Sequence, residues 1–295
     1  MRKKKRKIKK KSLLYIIIVI LIIIGLLLLN NNKHKNSNNK ISKPQKTEYE
    51  KKLDKLNNID KKIDYYNKEY TDRYISYKEK NPDLNTEQVI KNVNMFLDYN
   101  FYENTEPSKY LNDKRILVNK HYYLTENYIP ENLEEIDEKY SRAGMKLVNY
   151  AKSSFEKLSK EAKNNNMNII AMSSYRSYEY QVNLYNRYVN EDGKEEADTY
   201  SGRPGHSEHQ TGLAVDVYNV KETYTNFERT KEFNWMQEHA HEYGFILRFP
   251  KGKENETGYQ YESWHYRYVG EEIAKYIHDN NITLEEYYAT KIKDF

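Results

Sequence analysis

The chain has 295 residues, a formal net charge of +5 and no cysteine. Disulfides and thiolate metal sites are thereby excluded, and any transition-metal centre has to be built from histidine and carboxylates. The charge is unevenly placed: residues 1–12 carry nine basic side chains and no acidic one, residues 30–50 net +3, and residues 51–295 sum to −7. Such a distribution orients a chain in a membrane rather than binding nucleic acid, so no nucleic-acid partner is expected.

Residues 13–29, LLYIIIVILIIIGLLLL, contain no charge. Seventeen residues reach the short end of a membrane-crossing helix. The run ends in NNNKHKN, without the small-residue pattern at which a secretory leader is cleaved. It reads as an uncleaved single-pass anchor, with the tail 1–12 in the cytoplasm and the rest of the chain extracellular. Residues 30–47, rich in Asn, Lys and Ser, read as a flexible tether.

From residue 48 the pattern changes. Leu53, Leu56, Ile59, Ile63, Tyr66, Tyr70, Tyr74 and Tyr77 recur at gaps of three and four, which predicts an amphipathic helix over 48–80. The stripe admits a homodimeric coiled coil, or packing on the rest of the chain. After the break at Pro82, Asn85 or Thr86 is placed to cap a second helix. Residues 48–115 thus form a helical stalk or N-terminal extension to a domain spanning 116–295.

Within that domain, 117–136 reads as a loop with a short strand. A long helix is expected over about 138–165, with Ala143, Leu147, Tyr150, Ala151, Phe155, Leu158 and Ala162 facing inward. MNIIAMSS (167–174) is strand-like and leads to Tyr175–Arg176. A helix follows from Tyr178 to about Asn190, then a polar loop around Gly193. LAVDV (213–217) is a second strand, and FERTKEFNWMQEHAHEYG a helix closed by Gly244. FILRFP and YQYESWHYRYV supply further strands. Helices and short strands mixed in this way define an α+β class, with helices packed on a small sheet.

Of eight histidines, His34 lies in the tether, and His121 and His278 have no partner at a telling spacing. His239 and His241 are two apart on a predicted helix and point to different faces. His209 and Asp216 stand apart from these. Asp216 lies between Val215 and Val217, where an unpaired carboxylate is expensive to bury. A divalent metal shared with His209 satisfies it, and so does an arginine or a turn. Gly212 and Ala214 would keep bulk away from the ligands. Glu262 and His265 then form E-x-x-H beside Trp264. In a metallohydrolase the imidazole holds zinc and the glutamate takes a proton from the attacking water. Positions three apart face opposite sides of a regular strand, so the backbone near Ser263 has to turn if both residues act.

At these residues the chain resembles a known family. SEHQTGLAVD is similar to the S-x-H-x-x-G-x-A-x-D motif of the VanY-type D-alanyl-D-alanine carboxypeptidases, and ESWHYRYVG to their E-x-W-H-x-R-Y-V-G. SSYRSYEYQ (173–181) resembles their Y-R-S segment with its downstream glutamine. The likeness runs from about residue 85 to about 280 and leaves out the region before 80. It implies a small antiparallel sheet with helices packed on it. It also implies one zinc ion held by His209, Asp216 and His265, with Glu262 as catalytic base. By the same likeness, Arg176 binds substrate or stabilises charge on the scissile carbonyl, and Ser207 and Gln181 line the pocket. The implied activity is removal of terminal D-alanine from peptidoglycan stem peptides. An L,D-carboxypeptidase acting on tetrapeptides, and a non-catalytic wall-binding module, are the alternatives.

Overall fold

The computed structural model describes residues 47, 51, 63–221 and 224–292. The basic tail, the apolar run 13–29, nearly all of the tether, and Leu53, Leu56 and Ile59 of the stripe lie outside them. Among the described residues no helix is long and apolar enough to cross a membrane.

A four-stranded sheet in the order β5-β6-β8-β7 positions everything else. Its strands are β5 (Ile170–Ser173), β6 (Ala214–Tyr218), β7 (Phe245–Leu247) and β8 (His265–Tyr268). Every neighbouring pair is antiparallel, the small antiparallel sheet that the family motifs imply. Period-two alternation divides the residues of β6 and β8. Val215, Val217, Tyr266 and Tyr268 enter the main core, while Asp216 and His265 face the other way. The core is completed by Ala151, Phe155, Leu158 and Ala162 of helix α3 (Asn149–Asn164).

The helix predicted over 138–165 begins eleven residues late. Lys146–Val148 is instead a strand, β4, paired antiparallel with β3 (Leu133–Glu135), and Ala143 is exposed. Leu147 is buried, but from a strand. A β-branched residue, Val148, stands at the N-cap in extended conformation, and pairing with β3 outcompetes one more helical turn.

Before the sheet come helices α1 (Thr71–Lys80) and α2 (Thr86–Asn94) and a two-residue parallel pair, β1 (Glu106–Pro107) and β2 (Tyr122–Tyr123). Asn85 caps α2 through a reciprocal bond with Gln88. The 48–80 helix is not continuous over its described part. Residues 63–67 are non-helical, and a 3-10 turn at Lys68–Tyr70 precedes α1. Tyr74 of the stripe and the adjacent Ile75 bury against Val89, Ile90 and Val93 of α2, so this stretch packs on its own chain.

After β5 come α4 (Tyr178–Asp192), capped by Ser177, and α5 (Lys194–Tyr200), where a loop was expected. The next predicted helix is broken into a 3-10 turn at Tyr224–Arg229, helix α6 (Lys231–His239) capped by Thr230, and a second 3-10 turn ending at Gly244 in left-handed conformation. A short helix, α7 (Glu254–Thr257), precedes β8. Helices α8 (Glu271–Asn280) and α9 (Leu284–Lys291) end the described chain. They share a second core with the extension: Phe96 of the extension packs with Tyr122, Ile246, Ile273, Ile277, Leu284 and Tyr288. Residues 63–115 and 116–292 belong to one compact unit.

Candidate metal centre

Asp216 and His265 are directly opposed in the β6–β8 ladder. Opposed residues put their side chains on the same face about 5 Å apart at Cβ, so register alone brings a carboxylate to an imidazole 49 positions away. His209 arrives from a 3-10 turn, Glu208–Thr211, just before β6. Gly212 closes this turn at φ +68°, and a Cβ there would lie 2.8 Å from Leu133 Cδ2. The glycine therefore serves the turn and its packing against β3 and β4, rather than clearing room for ligands.

One donor atom from each of His209, Asp216 and His265 lies within 4.8 Å of the others, and all three residues are buried. His265 Nδ1 is 3.0 Å from Asp216 Oδ1, and His209 Nε2 is 3.4 Å from Asp216 Oδ2. The other ring nitrogen of His209 is tied to the Ser174 carbonyl at 2.7 Å. Two imidazole nitrogens and one carboxylate, with no thiol, suit zinc, and three protein ligands leave a coordination position open as in catalytic sites. The donor set fits the ion that the sequence implies.

Glu262 precedes β8, and the turn at Ser263–Trp264 brings its carboxylate to 3.7 Å from His265 Nδ1. This is the bend near Ser263 that joint action requires. Burial pushes the Glu262 carboxyl up to about 8, despite the opposing influence of His265. Asp216 behaves in the opposite way. Burial favours its neutral form, but His209, His265 and Arg176 outweigh that and hold it well below the usual carboxylate range.

Arg176 donates from Nη2 to Asp216 Oδ2 at 2.8 Å and is braced by Ser173 Oγ at 2.8 and 3.1 Å. Ser173 is aimed there by an irregularity in β5, where one extra residue is inserted opposite Val217–Asp216. Arginine and histidines thus share Asp216, so the arginine contact expected of a buried aspartate is present and leaves the histidine side of the carboxylate available to a metal. Gln181 is buried, its amide nitrogen bonded to the Gly202 carbonyl at 2.8 Å, while its carbonyl oxygen has no partner. Ser207 is buried at the wall. All seven residues singled out by sequence line one cleft of about 660 Å³. Its far wall is a face of α4 running from Gln181 to Glu191. Ten helical residues rise about 15 Å, the length of roughly four extended peptide residues.

Sequence reasoning missed what stands behind the ligands. Glu208, adjacent to His209, is buried with Arg248 and Arg267, which are 1% and 0% exposed. Burial alone would raise its carboxyl, but the two guanidiniums hold it far below the usual range. The only local signal was a glutamate beside a ligand histidine. Other histidines are placed elsewhere. His206 lines the cleft wall, with Nδ1 2.7 Å from the Asn119 carbonyl. His121 packs between the Phe96 and Phe101 rings. His278 does have partners, Asp279 at 3.2 Å and the stacked His241 ring at 3.8 Å.

A buried two-histidine, one-carboxylate cluster with a glutamate at its edge is a donor set of the kind that zinc hydrolases use. The family model described as "VanY: D-alanyl-D-alanine carboxypeptidase" matches residues 144–271. The bifunctional D-Ala-D-Ala dipeptidase and carboxypeptidase VanXYC of Enterococcus gallinarum is 32% identical over 177 residues, covering 58% of this chain and 92% of that protein. The chain belongs to the VanY family. Among solved structures, the LdcB LD-carboxypeptidase is 37% identical with a TM-score of 0.60, over 64% of this chain and 91% of that one. A variant of the vancomycin-resistance D,D-pentapeptidase VanY in complex with Zn(II) is 32% identical with a TM-score of 0.52, over 59% and 98%. The chain spans 66%, 35% and 48% of the length of three further curated relatives.

Proposed function

We propose that this protein is a zinc-dependent carboxypeptidase that removes the terminal D-alanine from peptidoglycan stem peptides. The observation that carries the reading is the convergence of His209, Asp216 and His265 in one buried cleft with Glu262 at 3.7 Å from the ligand ring. Membership of the VanY family and the likeness to a zinc-bound VanY structure support it.

When bound, zinc supplies Lewis acidity toward the scissile carbonyl. The chain's own residues do the rest. Glu262 accepts the proton of the attacking water and returns it to the leaving amine, a task suited to a carboxyl raised by burial toward neutrality. Arg176, braced by Ser173, presents guanidinium donors to the substrate carboxylate or to the developing oxyanion. The free carbonyl oxygen of Gln181 accepts a hydrogen bond from the bound peptide. The length of the α4 face suits a stem peptide better than a dipeptide.

A second reading, L,D-carboxypeptidase action on tetrapeptide stems, is favoured by the likeness to LdcB at a TM-score of 0.60. We further propose that the enzyme works outside the cell, held to the membrane by residues 13–29. The uncharged run, the basic tail before it and the location of the substrate class support this.

The test is mass spectrometry of penta- and tetrapeptide stems after incubation with the zinc-loaded protein. Loss of one D-alanine from the pentapeptide, with the tetrapeptide untouched, is the expected result. Trimming of the tetrapeptide alone selects the second reading. Binding of both without cleavage turns the protein into a wall-binding module. Glu262→Gln is expected to keep its zinc and lose turnover by on the order of 10³-fold. Near-wild-type rates in that variant would remove Glu262 from the mechanism.

A further inference from the structure

Two buried polar atoms at the metal centre have no hydrogen-bond partner, Glu208 Oε2 and His265 Nε2. They lie 3.5 Å apart. The rest of Glu208 is already fixed. Its Oε1 accepts from Arg248 Nε at 2.8 Å and from Arg267 Nη1 at 2.8 Å. Each guanidinium is in turn held from its far side. Arg248 donates to both Glu285 oxygens, at 2.9 and 2.5 Å. Arg267 donates to the carbonyls of Tyr268, Lys114 and Ile116. The direction of Glu208 is therefore set by α9, β8 and the 114–116 segment, independently of His265.

We propose that Glu208 is the positioning residue of the metal centre: its unpaired oxygen accepts the Nε2 proton of His265 and so assigns Nδ1 as the atom this ligand offers to the metal. The inference rests on reading His209, Asp216 and His265 as a metal centre. The ring's opposite edge agrees with it, since His265 Nδ1 lies 3.0 Å from Asp216 Oδ1. His209 is set the other way round. Its Nδ1 is tied to the Ser174 carbonyl and its Nε2 turns toward Asp216. The two imidazoles thus ligate through different nitrogens, and each choice is made by the acceptor behind the ring. For His209 that acceptor is a neutral carbonyl; for His265 it is a carboxylate, which makes the imidazole a stronger donor to a metal. A separation of 3.5 Å is longer than an ordinary hydrogen bond by roughly half an ångström, a gap that a small rotation of the His265 ring would close.

Removing such an acceptor typically weakens metal binding by about 10- to 100-fold. Zinc affinity, measured by competition with a chelator, is expected to fall by that factor in Glu208→Gln. In Glu285→Gln, which leaves Arg267 bonded to Glu208 Oε1 and does not touch His265, the loss is expected to be clearly smaller than in Glu208→Gln. If Glu208 only balanced the buried arginines, both variants would lose thermal stability and neither would lose affinity, which overturns the proposal. A buried-charge variant can fail to fold, so a second measurement uses the unaltered protein. With ¹¹³Cd bound and histidine ¹⁵N-labelled, the cadmium coupling of His265 is expected at Nδ1, with a proton on Nε2. Coupling at Nε2 overturns the assignment. Wild-type protein that holds no metal removes the reading of the site itself. Wild-type protein that holds metal, beside an equally tight Glu208→Gln, removes this inference alone.

Discussion

The His209 and His265 imidazoles share one pocket but carry different charge. Burial, helped by Arg176, lowers His209 to about 4 against the pull of Asp216, so this ring is neutral at pH 7 and ready to ligate. Burial lowers His265 as well, but the carboxylates of Asp216 and Glu208 outweigh it and raise the ring to about 9. Glu262 is raised by burial to about 8. In the metal-free protein at pH 7, both His265 and Glu262 therefore hold a proton. A cation has to displace the one on His265 and makes the one on Glu262 easier to lose. Below the raised values binding releases protons, so affinity climbs as pH rises toward about 9 and then levels off. The slope is up to about tenfold per pH unit for each proton released. Zinc calorimetry at pH 7 in buffers of unequal ionisation enthalpy is expected to show release of at least one proton per ion. A flat affinity between pH 6 and 9 would contradict this account of His265.

At the scale of elements, the site depends on a short turn meeting two strands in register. The Glu208–Thr211 turn delivers two buried side chains in succession, His209 to the proposed metal centre and Glu208 behind it. Gly212 makes that turn possible. Its φ of +68° disfavours any side chain, and an added Cβ would come within 2.8 Å of Leu133 Cδ2 and 3.1 Å of Val148 Cγ2. Gly212→Ala is therefore expected to cost about 1–3 kcal/mol of stability. Because the strain falls on the segment that carries His209, zinc affinity should fall with it. Thermal melts with and without zinc check both effects, and an unchanged melting temperature would show that the turn relaxes freely. The strands contribute in a different way. Opposing Asp216 to His265 is a property of register, and a slip of one residue would send each to the opposite face.

Across the whole molecule, the four-stranded sheet is stabilised by segments outside the 144–271 family match. Phe96, from the extension, packs with Tyr122, Ile246 of β7, Ile273 and Ile277 of α8 and Tyr288 of α9. Helix α9 also supplies Glu285 to the arginine that orients Glu208. Phe96→Ala, remote in sequence from every ligand, is expected to lower stability by about 3–5 kcal/mol. Denaturant unfolding followed by tyrosine and tryptophan fluorescence measures this. A loss below about 1 kcal/mol would mean that the extension is an appendage rather than part of the core.

Much of this protein was legible without its structure, and the reason is locality. Ligand types, the short spacing of His209 to Asp216, the E-x-x-H pair, the turn it demands near Ser263 and a helix cap at Asn85 or Thr86 all depend on neighbouring residues. Periodicity also found the inward face of α3 and the strand nature of β5, β6 and β8, though it carried α3 too far because it cannot see that 146–148 has a partner in 133–135. What only the tertiary structure decided is who stands behind the ligands and what the extension packs on. Glu208 meets Arg248 forty positions away, and Arg248 meets Glu285 thirty-seven further on. No local pattern records such pairings, because they are selected by the close packing of the completed core, where each buried charge must find its partner.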